Sequence, residues 1–161
     1  MQRRHIELAL LFAALVLVAG LLAAPRLAHH RPALSPQRAS WTLTPGVVNP
    51  AVTQGTISST ICRRGWTRTI RPPSGYTSRL EREQMRAYGR TGSPSDYQED
   101  HLISLELGGD PSDPRNLWPE PRPRAEEVDR IEDQLRADVC SGRLTLAEAQ
   151  RRISVIKHTG G

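Results

Sequence analysis

The sequence predicts an α+β domain in which short N-terminal strands are followed by a small mixed core and flanking helices. Two segments, 56–62 and 65–71, alternate apolar and polar residues in the way that short strands do. Three later segments repeat apolar residues at helical spacing: 77–88, 124–139 and the segment that follows Thr145. The globular domain is therefore expected over residues 56–158.

The first predicted helix covers residues 77–88. Leu80, Met85 and Tyr88 supply its apolar positions, and Gly89 follows as a terminating residue. This helix is expected to pack with one apolar side on the core.

The middle of the chain is predicted to contain two strands joined by a loop. Residues 97–107 form a strand-like run, which Gly108 and Gly109 break. A short strand, 116–119, follows, and Pro119 is expected to end it because proline lacks the amide hydrogen that a ladder uses.

The two C-terminal helices carry clear boundary signals. The first, 124–139, repeats apolar residues every four positions. Thr145 is expected to cap the second, with Glu148 three residues later in capping-box register. Ala149 and Ile153 give this last helix its apolar side.

Composition indicates a small core and an anionic partner. Of the 161 residues only 37% are hydrophobic, and the formal net charge is +5, with Lys157 as the only lysine among 22 basic residues. Arginine binds phosphate oxygens through a planar pair of donors. Arg79, Arg82 and Arg86 recur at helical spacing, so they are predicted to form a basic stripe that binds nucleic acid.

The N-terminus is predicted to direct export. Arg3 and Arg4 precede an uninterrupted apolar run, 8–24, which is the pattern of a signal peptide or a membrane anchor. Cleavage and retention remain equally open, and only an uncleaved leader, 1–24, would bind the membrane. Residues 25–55 are rich in Pro, Ala, Ser and Thr, so a flexible linker is expected there.

The two cysteines, Cys62 and Cys140, are predicted to form one disulfide if the chain is exported. Two unpaired buried thiols are the alternative. Two cysteines so far apart do not indicate a zinc site.

Residues 99–116 carry the clearest chemistry of the chain. His101 follows Asp100, and Asn116 returns after the loop broken by glycines. An imidazole titrates near neutrality and can take a proton from water. Carboxylate oxygens suit Mg²⁺, Mn²⁺ or Ca²⁺ better than zinc. Together these residue types indicate metal-assisted phosphodiester hydrolysis.

The block from Asp100-His101 through Gly108-Gly109 to Asn116 resembles the ββα-metal finger of HNH endonucleases, and in particular small exported bacterial proteins of that kind. The resemblance implies a ββα-metal core, a divalent ion (Mg²⁺ or Mn²⁺) and no nucleotide cofactor. It makes His101 the general base.

The resemblance also implies the roles of the neighbouring residues. Asp100 would be a metal ligand, and Asn116 would brace the loop and orient His101. The family commonly takes a further ligand, His or Asn, from the helix, but no histidine lies between 102 and 157. Asp129 is the substitute by spacing, with Glu126 second.

Strand geometry leaves one choice of ligand open. Neighbouring residues on a strand point to opposite faces, so Asp100 and His101 share a site only if the strand ends or bulges there. Otherwise Glu99 faces the same side as His101 and becomes the ligand.

The predicted function is an exported endonuclease of DNA or RNA with little sequence preference. The first alternative is a catalytically inactive relative that serves as a scaffold or binds an envelope polymer or a protein. The second is a DNA-binding factor that does not hydrolyse.

Overall fold

The computed structural model describes residues 37–160 and contains both helices and a sheet, so the α+β class is confirmed. Strand β1, Tyr97–His101, pairs antiparallel with strand β2, Leu117–Pro121. The register places His101 opposite Leu117 at the end of the ladder. Both ends of the 102–116 loop therefore meet beside His101.

Four α-helices surround this two-stranded sheet in the described part of the chain. They are α1, Trp66–Ile70; α2, Ser74–Ala87; α3, Arg122–Cys140; and α4, Leu146–Thr159. Helix α2 packs on the sheet, while α3 packs on α4 and on the turn of the long loop. The three longer helices lie where the apolar periodicity predicts them.

Local signals fix the ends of these helices. Thr145 Oγ1 accepts a hydrogen bond from the Glu148 amide at 3.2 Å, which satisfies one free donor at the start of α4. Gly160 ends α4 in the left-handed conformation with φ +91°. Pro123 lies in the first turn of α3, where its missing amide hydrogen has no cost.

The two predicted N-terminal strands are wrong. Segment 56–62 forms the 3-10 turn Ile57–Ser59, and segment 65–71 contains α1. The amides of Thr60 and Cys62 bind the carbonyls of Thr56 and Ile57. Because these hydrogen bonds are local, the alternating pattern is satisfied by turns rather than by a partner strand.

The boundaries of the central strands also differ from the predicted ones. Strand β1 stops at His101 rather than at 107, because Asn116 takes over the backbone hydrogen bonds of the next two residues. A 3-10 turn, Leu105–Leu107, covers the rest of that run. Strand β2 continues through Pro119 to Pro121. In a sheet of only two strands, one edge of each strand faces away from its partner, so a proline directed to that edge loses no ladder hydrogen bond.

The predicted linker, 25–55, is described only from Gln37, and there it packs on the domain. Thr44 is fully buried and Val52 nearly so. The amide of Ala39 donates to the carbonyl of Lys157 at 2.9 Å. In the described residues the folded domain thus begins well before residue 56.

The main core lies between α3, α4 and the Leu105–Leu107 turn. Leu107, Val139 and Ile153 are among its fully buried side chains. Trp118 is also fully buried, in a second cluster with Tyr88 and Leu102. Both clusters touch the loop that begins at His101, so the packing fixes the position of that loop.

The predicted disulfide is confirmed. Cys62 and Cys140 are bonded, with their Cα atoms 5.6 Å apart. The bond joins the segment before α1 to the last residue of α3. It closes a separation of 78 residues.

None of the helices described over residues 37–160 combines the length and hydropathy that crossing a membrane requires. The predicted leader, 1–24, lies outside the described residues.

Reduction of the Cys62–Cys140 bond is expected to lower the free energy of unfolding by roughly 3–4 kcal/mol, because the unfolded chain regains the freedom of a long loop. Urea unfolding with and without reductant measures the change. The Cys62→Ser/Cys140→Ser double variant is the control and should not respond to reductant. An unchanged midpoint in the reduced native chain would contradict the expectation.

Candidate functional site

Asn116 holds the loop between the two strands in place. Its side chain is fully buried and makes four hydrogen bonds. Oδ1 accepts from the amides of Ile103 at 3.0 Å and Val47 at 3.3 Å. Nδ2 donates to the carbonyls of Ile103 at 3.1 Å and Asp110 at 2.9 Å. Both polar atoms of the Asn116 side chain are thus bound to backbone groups, which fixes the loop between the two strands.

Gly109 makes this brace sterically possible. A Cβ atom at Gly109 would overlap the carbonyl oxygen of Ile103 and would approach Nδ2 of Asn116 to 2.7 Å. The backbone of the loop therefore passes too close to Asn116 for any side chain at this position.

The imidazole of His101 is held in one orientation at the end of β1. Its Nε2 lies 3.0 Å from the carbonyl oxygen of Pro111 and can only donate to it. Pro111 directly follows Asp110, which Asn116 binds. The tautomer that results leaves a lone pair on Nδ1, the nitrogen that a general base needs.

Burial favours the neutral form of His101. The side chain is only 5% exposed, and burial lowers its pKa. The hydrogen bond to Pro111 and the carboxylate of Asp100 raise the pKa but do not offset the burial. The ring is therefore available to accept a proton.

Asp100 and His101 line the same cavity, which has a volume of about 320 Å³. They share it because β1 ends at His101, where the alternation of faces stops. Glu99 is not among the residues that line it. This arrangement favours Asp100 over Glu99 as the partner of His101.

The cavity is strongly acidic. Five carboxyl groups line it together with one guanidinium, that of Arg71. Burial raises the pKa of Glu106 to about 7, and the neighbouring carboxylate of Asp133 adds to the effect. The acids that line the cavity are Asp100, Glu106, Asp129, Glu132 and Asp133.

Lys157 is the central charge of the site, and the sequence analysis did not identify it. Its side chain is only 1% exposed. Nζ donates to Asp100 Oδ2 at 2.5 Å and to the carbonyl of His101 at 2.7 Å. It also lies 2.7 Å from Glu132 Oε1 and 3.4 Å from Glu120 Oε2. A single ammonium thus joins α4 to both strands and to α3.

Two signals in the sequence point to Lys157. It is the only lysine of a chain whose other basic residues are arginine. It also continues the buried face of α4, because it follows Ala149 and Ile153 at intervals of four. A basic residue on a buried helix face requires acidic partners.

The carboxyl groups around Lys157 differ in charge. Burial opposes ionisation of Asp100, but the ammonium of Lys157 outweighs it and lowers the pKa of Asp100. Burial raises the pKa of Glu120 to about 9 and that of Glu132 to about 7, against the attraction of Lys157. Asp100 is therefore the principal anionic partner at neutral pH.

The predicted metal ligands are not brought together as a metal site. Asp100 gives Oδ2 to Lys157, and its Oδ1 accepts from Gln98 at 3.3 Å. Asp129 lines the cavity, whereas Glu126 is exposed and does not. Within residues 37–160 no three His, Cys, Asp or Glu side chains are grouped to hold a metal ion. A divalent ion therefore does not fit the predicted ligand set as it stands.

The predicted arginine stripe lies beside the loop rather than in the cavity. Arg79, Arg82 and Arg86 are exposed on α2 and do not line the cavity. Helix α2 is tied to the loop by Tyr76, whose hydroxyl donates to the carbonyl of Ser112 at 2.5 Å. Arg71, which the sequence analysis did not single out, is the basic residue at the cavity.

Comparison with known proteins gives no assignment. No family model matches the chain, and neither a curated protein nor a solved structure is significantly similar to it.

Replacement of Gly109 by alanine is expected to lower the free energy of unfolding by roughly 3 kcal/mol or more, because the new methyl overlaps the Ile103 carbonyl and displaces Asn116. Thermal and urea unfolding check this. Gly75→Ala is the matched control, since a Cβ atom there meets nothing within 4 Å. Equal stability of the two variants would contradict the packing argument.

Glu99 is expected to make the protein less stable as pH rises from about 4.5 to 8. Burial raises the pKa of Glu99 to about 8, and both of its carboxyl oxygens are buried without a hydrogen-bond partner. The folded chain therefore holds a proton that the unfolded chain releases in this range, and the free energy of unfolding falls.

The Glu99→Gln variant removes this contribution to the pH dependence. We expect its stability relative to the native chain to increase by on the order of 1–3 kcal/mol between pH 5 and pH 8. Urea unfolding at several pH values measures it. The exposed Glu83→Gln serves as the control, and a pH-independent difference for Glu99→Gln would refute the account.

Proposed function

We propose that the domain is a nuclease of the HNH type, built on a ββα finger, that hydrolyses phosphodiester bonds of DNA or RNA with little sequence preference. The observation that carries this proposal is the orientation of His101 in the cavity, with Nε2 bound to the Pro111 carbonyl. The order of β1, β2 and α3 is also the order of elements that such a finger uses.

In this proposal His101 is the general base. Nδ1 takes a proton from water, and the oxygen of that water attacks phosphorus while the P–O bond to the leaving sugar oxygen breaks. The leaving oxygen takes a proton from solvent, and the imidazolium returns its proton to water. The hydrogen bond from Nε2 to Pro111 keeps the tautomer and steadies the imidazolium that forms. Asn116 is a positioning residue, because it holds the loop that carries Pro111 and does not reach the cavity.

Phosphate binding is proposed for one arginine that lines the cavity and for three arginines on α2 outside it. Arg71 lines the cavity and lies close enough for its charge to lower the pKa of His101. The stripe Arg79, Arg82 and Arg86 lies on α2, whose Tyr76 contacts the loop, so it would hold the flanking phosphates. The Mg²⁺ or Mn²⁺ ion that the resemblance implies stays a prediction, and no step is assigned to it.

We also propose that the domain is exported and works outside the cytoplasm. The disulfide between Cys62 and Cys140 is compatible with an oxidising compartment. The basic and apolar leader, 1–24, would either be cleaved or keep the domain at the membrane.

A second candidate is a binding domain without hydrolysis, and the acidic lining of the cavity favours it. Five carboxyl groups against one guanidinium oppose the approach of a phosphate group. In this case the cavity would accept a basic group of a protein or an envelope polymer instead.

The His101→Ala variant distinguishes the two candidates. We expect nicking of supercoiled plasmid by the native protein, and a fall of roughly 100-fold or more in the variant, because the base is removed. Residues 37–161 are incubated with plasmid in EDTA, Mg²⁺ or Mn²⁺, and the rate is measured from pH 5 to 9.

His158→Gln is the matched control, because His158 is also buried but binds the Thr44 carbonyl away from the cavity. It is expected to keep its activity at temperatures below its unfolding transition. The same incubations are repeated with RNA, and a folded native protein that cleaves neither plasmid nor RNA in any of the three conditions would contradict the nuclease proposal and favour the binding domain. An active His101→Ala would exclude His101 as the base.

A further inference from the structure

We infer that the ammonium group of Lys157 is a built-in cation, which occupies the position of a metal ion among Asp100, Glu120 and Glu132 and keeps divalent ions out of it. This inference concerns binding and holds whether or not the domain hydrolyses nucleic acid.

The geometry around Lys157 is that of a coordinated cation. Three carboxyl groups surround Nζ, and each comes from a different element: Asp100 from β1, Glu120 from β2 and Glu132 from α3. The carbonyl of His101 is a fourth oxygen at 2.7 Å. Carboxylate and carbonyl oxygens are the ligands that hard divalent ions prefer.

Glu120 indicates that this set of oxygens exceeds what a lysine requires. Its side chain is fully buried, and it lies close enough to Asp100 for the two carboxyl groups to share a hydrogen bond. The nearest positive charge is Nζ of Lys157, 3.4 Å from Oε2. Four oxygens thus surround Nζ, whereas an ammonium has only three N–H donors.

Charge explains why a divalent ion and Lys157 exclude each other. An ion bound to Asp100 would stand within a few ångströms of the ammonium, at a site with little water to screen the repulsion. Without Lys157, the carboxylate of Asp100 would remain buried without its compensating charge, beside the carboxyl groups of Glu120 and Glu132. A divalent ion is the species that would restore the balance.

The test is the binding of Mn²⁺, followed by electron paramagnetic resonance of the free ion at pH 7.5. The native chain is expected to show no tight site in the cluster. Lys157→Ala, which removes the charge and leaves space, is expected to bind one Mn²⁺ at least about tenfold more tightly. Its unfolding temperature should rise with Mn²⁺ concentration, because only the folded chain presents the site.

Matched variants locate the bound ion. Lys157→Arg keeps the charge and should gain no affinity. In the Lys157→Ala background, Glu120→Gln should abolish the gain, whereas the exposed Glu126→Gln should retain it.

Two results would overturn the inference. One is that Lys157→Ala binds Mn²⁺ no more tightly than the native chain does. If the variant is unfolded without metal, failure of Mn²⁺ to restore its fold counts as the same result. The other is tight binding by the native chain that Glu120→Gln removes. Neither depends on the plasmid assay, so this inference and the proposed nuclease can fail separately.

Discussion

The site depends on the ion pairs of a single buried side chain. Lys157 binds Asp100 and the backbone of His101 at the end of β1, and it also lies against Glu132 of α3. A buried charge is tolerated only when partners compensate its loss of water. The same contacts that satisfy the ammonium therefore fix how α3 and α4 approach the end of β1. The acid beside His101 is held by the core of the protein and not by the surface.

The second constraint is the loop that returns to this point. Beyond His101 the side chain of Asn116 takes the place of a partner strand. It accepts a hydrogen bond from the amide of Ile103 and donates one to the carbonyl of the same residue. Its remaining donor holds Asp110, and the next residue, Pro111, receives Nε2 of His101. The orientation of the imidazole thus follows from the buried amide of Asn116, which contacts only backbone groups in the described residues. Gly109 is the residue that lets the backbone pass close enough for this to happen.

The sequence predicts the parts of the site that local patterns control. The three long helices, the disulfide and the approach of Asn116 to the Asp-His pair follow from periodicity, cysteine count and the glycine-broken loop. The turns at 56–71 were mistaken for strands, because alternation does not reveal whether a partner strand exists. The role of Lys157 was not predicted, because its partners lie on three other elements. Only the tertiary fold shows that a positive charge is required at this position.

The choice of lysine at this one position follows from its shape. A guanidinium is broad and planar, with donors directed in a fork, and it suits two oxygens in one plane. Nζ of Lys157 is compact and meets oxygens from both strands and α3, so its geometry is closer to that of a metal ion than to that of an arginine pair. Arginines elsewhere in the described part of the chain pair with single carboxylates, as Arg115 does with Asp113 at 2.6 Å. The sequence predicts a divalent metal ion between Asp100 and a carboxylate of the acidic helix, Asp129 or Glu126. In the structure Asp100 contacts the ammonium of Lys157, as does Glu132 of that helix, and the metal ion stays a prediction.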